Sequence, residues 1–149
     1  VKFTRDRYGE EAHRAAACLG LAPALLGLES LPGSWKMAVM NPFPSGYVIM
    51  DEIKDKSQRP ALRSALRNCV SQLHAADFVH GDLRAANVAV KEEEGKWQCQ
   101  LFDFDWAGHD GDVRYPINIG FIEEIWRPRL RMDGELITKR DDMEMVEHV

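Results

Sequence analysis

Cysteine is scarce and scattered in this sequence. Cys18, Cys69 and Cys99 are odd in number and form no C-x-x-C pair. That argues against a disulfide framework or a thiolate zinc site and leaves reduced, mostly buried thiols, as expected of a cytoplasmic or nuclear protein. No apolar run approaches the roughly 18 residues of a membrane span, so no membrane association is expected. The opening VKFTRDRYGEE lacks the pattern of a secretory leader. Basic charge is not in excess: the net charge is −5, which excludes a sequence-independent nucleic-acid binder relying on a basic footprint. It leaves room for an anionic substrate held through bound cations. Repeats and low-complexity tracts are also missing. The chain has no initiator methionine and begins abruptly inside an apparent strand, so a fragment of a longer protein is expected.

What is present suits one ordinary globular domain. The 149 residues are 45% hydrophobic and 29% charged, and a chain of this length can bury roughly 68–70% of its unfolded surface. EEAHRAAACLGLAP reads as a helix: Ala12, Ala15, Ala16 and Leu19 share a face, Gly20 suits the left-handed C-terminal position, and Pro23 prevents continuation. Trp35–Met40 and Gly46–Ile53 are strand candidates, separated by the turn formers NPFPSG. From Pro60 to Ala76, Leu62, Leu66, Cys69, Val70 and Leu73 recur at helical spacing. Residues 87–91 and 96–104 should form an antiparallel hairpin around the turn EEEGK, and a last helix should start near Arg140. The order strand, helix, two or three strands, long helix, polar loop, hairpin, loop, helix is mixed α+β.

The chemistry concentrates in VHGDLRAANVAV (79–90) and LFDFDWAG (101–108). An antiparallel hairpin brings its outer ends together, so Asn87, entering it, and Asp103, leaving it, should be neighbours, with Asp82 close by. Hard oxygen ligands of this kind suit Mg²⁺, which keeps waters and shares its coordination with substrate phosphates. A carboxylate off the metal can accept a proton from an incoming hydroxyl. These are the parts of phosphoryl transfer, in which positioning and charge neutralisation dominate.

With H-G-D-L-R-A-A-N followed by D-F-D, the sequence resembles the protein-kinase-like fold, whose patterns are H-R-D-L-x-x-x-N and D-F-G. To the eye it is nearest to fungal protein-kinase-like domains, between protein kinases and aminoglycoside-type phosphotransferases. The resemblance implies a partial N-terminal sheet lobe with its hinge over residues 1–53. The first part of a helical C-terminal lobe would follow over 54–149. It implies ATP and Mg²⁺ as cofactors and a hydroxyl of a protein or small molecule as acceptor. Carried over residue by residue, Asp82 would orient the acceptor hydroxyl, and Asn87 and Asp103 would hold Mg²⁺. Lys2 would pair the α- and β-phosphates, held by Glu11 or Glu10, and Arg84 would lie near the transferred phosphate. Backbone groups of Asp51, Glu52 and Ile53 would meet adenine, with Met50 bordering that pocket. His80 would be a structural brace, and Asp142 would brace the catalytic loop from the following helix.

Four departures from the family pattern carry expectations of their own. Gly81 replaces the arginine that answers an activation-loop phosphate. No Ser or Thr lies between Asp103 and Pro128, and only Tyr115 is modifiable there, so no such phosphorylation should be needed. Asp105 replaces the glycine of D-F-G, which should disfavour a loop flip through positive φ and could add a further carboxylate to the site. No A-P-E follows, Trp126–Pro128 being a poor substitute, and no Gly-rich loop precedes Lys2. Two functions therefore stand side by side: an ATP-dependent phosphotransferase, and a nucleotide- or protein-binding module without turnover.

Overall fold

The computed structural model describes residues 1–5, 7–117, 128 and 133–149. Among the described residues, three antiparallel sheets and three α-helices make up most of the regular structure. The first sheet has the order β1–β3–β2, from Lys2–Arg5 (β1), Leu25–Leu31 (β2) and Trp35–Met40 (β3). Its central strand pairs Lys2 with Ala38 on one side and Leu28 with Ala38 on the other. β2 escapes a reading by alternation for a physical reason. Its register shifts between Leu25 and Gly27, and Leu26 is exposed beside buried Leu25. The bulge breaks the two-residue period by which a strand is recognised.

Helix α1 (Glu10–Cys18) lies between β1 and β2 in sequence. Its start is held by Gly9, whose amide donates to the Phe104 carbonyl at 2.8 Å. A side chain at position 9 would meet the Ala107 carbonyl oxygen at 2.4 Å, so only glycine permits this approach. The expected strand at 46–53 is much shorter than the alternation suggests. β4 is only Val48–Ile49, and Met50–Glu52 then turns as a single 3₁₀ turn.

The long helix α2 (Arg59–Ala75) buries Leu62, Leu66, Cys69, Val70 and Leu73, the five residues its spacing singles out. β5 (Phe78–Val79) follows. β6 (Val88–Glu93) and β7 (Lys96–Leu101) form a hairpin with Val88 opposite Leu101 and Glu93 opposite Lys96. Glu94 and Gly95, between the strands, have φ +51° and +76°, the positive pair of a tight two-residue hairpin turn. β4 adds to the outside of β6, and β5 pairs with β8 (Gly108–His109). Helix α3 (Lys139–His148) packs on α2 and begins with a capping box. The Thr138 hydroxyl accepts from the Asp141 amide, and the Asp141 carboxylate accepts from the Thr138 amide at 2.8 Å. Such a cap contributes about 1 kcal/mol. Among the described residues no helix is long and apolar enough to cross a membrane. All three cysteines are free, Cys69 and Cys99 buried and Cys18 exposed.

Candidate phosphotransfer site

The loop after β5 is fixed from beneath by α3. The carboxylate of Asp142 is fully buried. Its Oδ2 accepts from the His80 amide at 2.8 Å and from His74 Nε2 at 2.9 Å, and its Oδ1 accepts from the Gly81 amide at 2.8 Å. A buried carboxylate satisfied by three donors fixes the backbone of residues 80 and 81. His80 ties this loop to the next. Its Nε2 faces the Phe102 carbonyl at 3.1 Å, which can only accept, so Nε2 carries the proton and Nδ1 accepts from the Asp82 amide at 3.3 Å.

Gly81 has φ +81°, and a Cβ there would stand 2.8 Å from Ile137 Cδ1. The tight turn and the Ile137 contact explain why this position carries glycine where the family pattern has arginine.

Asp82 and Asn87 meet directly. Asn87 is 2% exposed, and its Nδ2 donates to the Asp82 carbonyl at 2.9 Å and to Asp82 Oδ2 at 3.0 Å. The amide oxygen of Asn87 lies on the opposite edge of the same planar group. The Phe102 amide donates to the Asn87 carbonyl at 3.2 Å, which sets Asn87 beside the chain one residue before Asp103. Arg84 Nε lies 3.7 Å from Asp82 Oδ2. That Nε is buried and has no hydrogen-bond partner among the described residues.

Lys2 reaches this region from β1. Its Nζ donates to Asp103 Oδ1 at 2.5 Å and lies 2.6 Å from Asp105 Oδ1. Asp105 Oδ2 accepts from the Thr4 hydroxyl at 2.9 Å. Burial pushes the Asp105 carboxyl up from the usual range. Lys2 pulls it back, Asp103 pushes it further up, and the Thr4 bond lowers it. Lys2 Nζ also lies over the Tyr8 ring, 5.9 Å from its centroid. Burial, then the charges of Asp105 and Asp103, push the Tyr8 hydroxyl far above its ordinary value. The donor set suits a hard divalent cation. Asp103 offers a carboxylate, Asn87 an amide oxygen, and two carboxylates already converge on one positive centre.

The structure corrects several sequence-based expectations. Neither glutamate of α1 reaches Lys2. Glu10 pairs with Arg14 at 2.9 Å, and Glu11, with a side chain 79% exposed, faces His109 at 3.3 Å. Lys2 is instead held from the D-F-D segment. Positive φ in that segment falls on Asp103, at +68°, and not on Asp105. The expected adenine-contacting backbone is partly spent on its own turn. The Ile53 amide donates to the Met50 carbonyl at 3.1 Å, and Lys54 Nζ donates to the Asp51 carbonyl at 2.8 Å. Met50 is buried and Glu52 exposed. A cavity of about 180 Å³ lies against this turn, lined by Met50, Ile53 and Leu62, by Arg59, and by Ala85 of the loop before β6. Tyr115, the one modifiable hydroxyl of its segment, is 3% exposed and set edge-on to Trp106. Trp126 and Arg127, weighed as part of an A-P-E substitute, lie outside the described residues.

Arg7 is a residue the sequence reading passes over. Its guanidinium donates to the carbonyls of Trp106, Ala107 (3.2 Å) and Arg114 (2.9 Å), tying the stretch after β1 to the segment after D-F-D. Burial lowers its pKa, against the nearby charge of Asp112. Arginines in a polar stretch carry no periodic signal, so only the tertiary contacts reveal it.

Residues 47–114, just under half of the chain, are similar to the lipopolysaccharide kinase (Kdo/WaaP) family. No curated protein sequence matches. Among solved structures, the chain is similar to the Cydia pomonella granulovirus kinase PK-1, with a TM-score of 0.64 at 15% identity. That likeness covers 97% of this chain and 55% of the viral one, so the chain spans about half of that kinase's length. Neither match names a fungal protein, and the expected nearness to fungal domains finds no support in them. With sheets, helices and loops following a kinase over nearly its whole length, the chain has a mixed α+β, protein-kinase-like fold comprising parts of both lobes.

Proposed function

We propose that the chain carries a kinase-like unit of an ATP-dependent phosphotransferase over 1–149, with residues 1–53 on the sheet side and 54–149 on the helical side. The carrying observation is the contact between Lys2 and Asp103. Residues 101 positions apart in the sequence bring an ammonium and a carboxylate to 2.5 Å, beside a loop in which Asn87 and Asp82 are already joined. In this reading Lys2 pairs the nucleotide's α- and β-phosphates. Asp103 and Asn87 hold Mg²⁺, which neutralises the phosphate charge when bound. Asp82 orients the acceptor hydroxyl, and Arg84, whose Nε lies 3.7 Å from Asp82 Oδ2, faces the transferred phosphate. The turn Met50–Glu52 with Ile53 borders the base. The acceptor is a hydroxyl of a protein or a small molecule. The family description over 47–114 and the glycine at position 81 favour a non-protein acceptor.

The test is thermal. Mg²⁺-ATP should raise the melting temperature of the full-length protein, because a ligand that binds only the folded state stabilises it by mass action. Asp103→Ala should abolish the magnesium-dependent part of the shift. An equal shift in the variant would remove Asp103 from the metal site.

One observation favours the second reading, a nucleotide- or protein-binding module without turnover. The Asp51 carbonyl and the Ile53 amide are engaged within their own turn, which weakens the grip on a base. Release of labelled phosphate from γ-labelled ATP separates the two readings.

A further inference from the structure

The D-F-D segment raises a question the family pattern does not answer, namely what a carboxylate does in place of the glycine. Lys2 and Thr4 are two residues apart on β1 and so project from the same face of the strand. Asp105 spans both, with Oδ1 2.6 Å from Lys2 Nζ and Oδ2 accepting the Thr4 hydroxyl at 2.9 Å. Thr4 is itself buried, at 6% exposure, so the carboxylate is anchored on a fixed group. The Lys2–Asp105 contact is an ion pair rather than an aligned hydrogen bond, since Oδ1 has no hydrogen-bond partner. The carboxylates of α1 are committed elsewhere, Glu10 to Arg14 and Glu11 to His109. Asp103 also touches Lys2, but a metal ion would compete for it.

We infer that Asp105 is the positioning residue of Lys2, doing from the metal loop what the resemblance assigns to a glutamate of α1. The inference rests on the proposed role of Lys2 at the nucleotide phosphates. When Asp103 turns to a divalent cation, Asp105 is the carboxylate left to keep the ammonium aimed, and Thr4 keeps Asp105 from following Asp103. A glycine at position 105 could make neither contact. The lysine's placement then depends on the side-chain contacts of β1 with the D-F-D segment and not on the position of α1. A displacement of α1 that leaves β1 in place does not disarm the lysine.

The test compares Asp105→Asn, Thr4→Val and Glu11→Gln in the full-length protein, with folding checked by circular dichroism. The first readout needs no nucleotide: in excess Mg²⁺, which draws Asp103 away from Lys2, it is the rate at which an amine-acylating reagent labels Lys2, followed by peptide mass spectrometry. Loss of the carboxylate should release the ammonium, so Asp105→Asn should be labelled several-fold faster than the parent, and Glu11→Gln at the parental rate. Thr4→Val, which removes only the anchor, should also be faster, and it carries the test if Asp105→Asn does not fold. The second readout is steady-state kinetics. Asp105→Asn should raise the KM for Mg²⁺-ATP by about 10–100-fold, the usual cost of losing a supporting partner, with Asp105→Glu recovering part of it. Parental labelling in both Asp105→Asn and Thr4→Val, or faster labelling in Glu11→Gln, overturns the inference. Failure of Mg²⁺-ATP to protect Lys2 in the parent protein would instead overturn the nucleotide reading, and the labelling comparison would still decide which carboxylate holds Lys2.

Discussion

Phe104 lies face to face on His13, with ring centroids 4.5 Å apart and planes 4° from parallel. Phe104 also meets the His80 ring, tilted, with centroids 5.2 Å apart. Phe104 is fully buried, so one ring of the D-F-D segment joins helix α1 to the loop that carries His80. His13 is a core residue. Its Nε2 faces the Pro23 carbonyl at 2.8 Å and its Nδ1 the Tyr8 hydroxyl at 2.6 Å. The carbonyl can only accept, so Nε2 carries the proton and Nδ1 accepts from Tyr8. The packing therefore fits a neutral imidazole.

A pH dependence follows. Burial lowers the His13 pKa below its ordinary value of 6.5, against the pull of the Pro23 carbonyl. The unfolded chain then binds a proton at higher pH than the folded one. The His13 contribution is fully present above pH 6.5 and is lost as pH falls from there through the lower folded value. Urea unfolding between pH 7.5 and 5 should show stability declining by no more than about 1.4 kcal/mol per pH unit from this one proton. His13→Gln should flatten that slope. An unchanged slope in the variant would assign the acid sensitivity to other groups.

Gly81 yields a stability prediction. Gly81→Ala must adopt φ +81° and push its Cβ into Ile137. Positive φ costs an ordinary residue about 1–2 kcal/mol, and overpacking about 1–3 kcal/mol. Denaturant titration should show a loss of at least about 2 kcal/mol. Gly27→Ala, with nothing within 4 Å of the new carbon, should change stability by about 0.5 kcal/mol or less. Gly81→Arg, which restores the family's arginine, should be at least as damaging as the alanine. A neutral Gly81→Ala would mean that the turn relaxes without cost.

The parts of this fold that could be read from the sequence are those whose signal is local and periodic. The buried face of α2 repeats at helical spacing, and the β6–β7 hairpin has a turn that only glycine-like conformations close. The H-G-D-L-R-A-A-N and D-F-D segments carry their residue types at fixed offsets, so a candidate chemistry could be named before any geometry. Pairing was less accessible. Which carboxylate meets Lys2 depends on how β1 crosses the D-F-D segment, a contact spanning 101 positions in the chain. Two consecutive glutamates at the start of α1 gave a local candidate, and tertiary geometry chose Asp105 and Asp103 instead. The Met50–Glu52 turn was hidden similarly: GYVIMDEI alternates like a strand, but only Val48 and Ile49 find partners, at Val90 and Ala89.

Asp82 allows binding and turnover to be separated. Its Oδ2 takes the Asn87 amide at 3.0 Å and the nearest approach of Arg84 at 3.7 Å. Asp82→Asn keeps the size of the side chain and an oxygen that can accept from Asn87, so the loop should hold its shape. It removes the negative charge that draws a proton from an acceptor hydroxyl. Transfer of the γ-phosphate should fall by about 10²–10⁴, the range for loss of a general base, while the Mg²⁺-ATP thermal shift stays close to that of the parent. Parental turnover would deny Asp82 the role of base. Loss of the thermal shift together with the rate would assign Asp82 to nucleotide or metal binding, because a residue acting only on the acceptor has no contact through which to weaken the nucleotide.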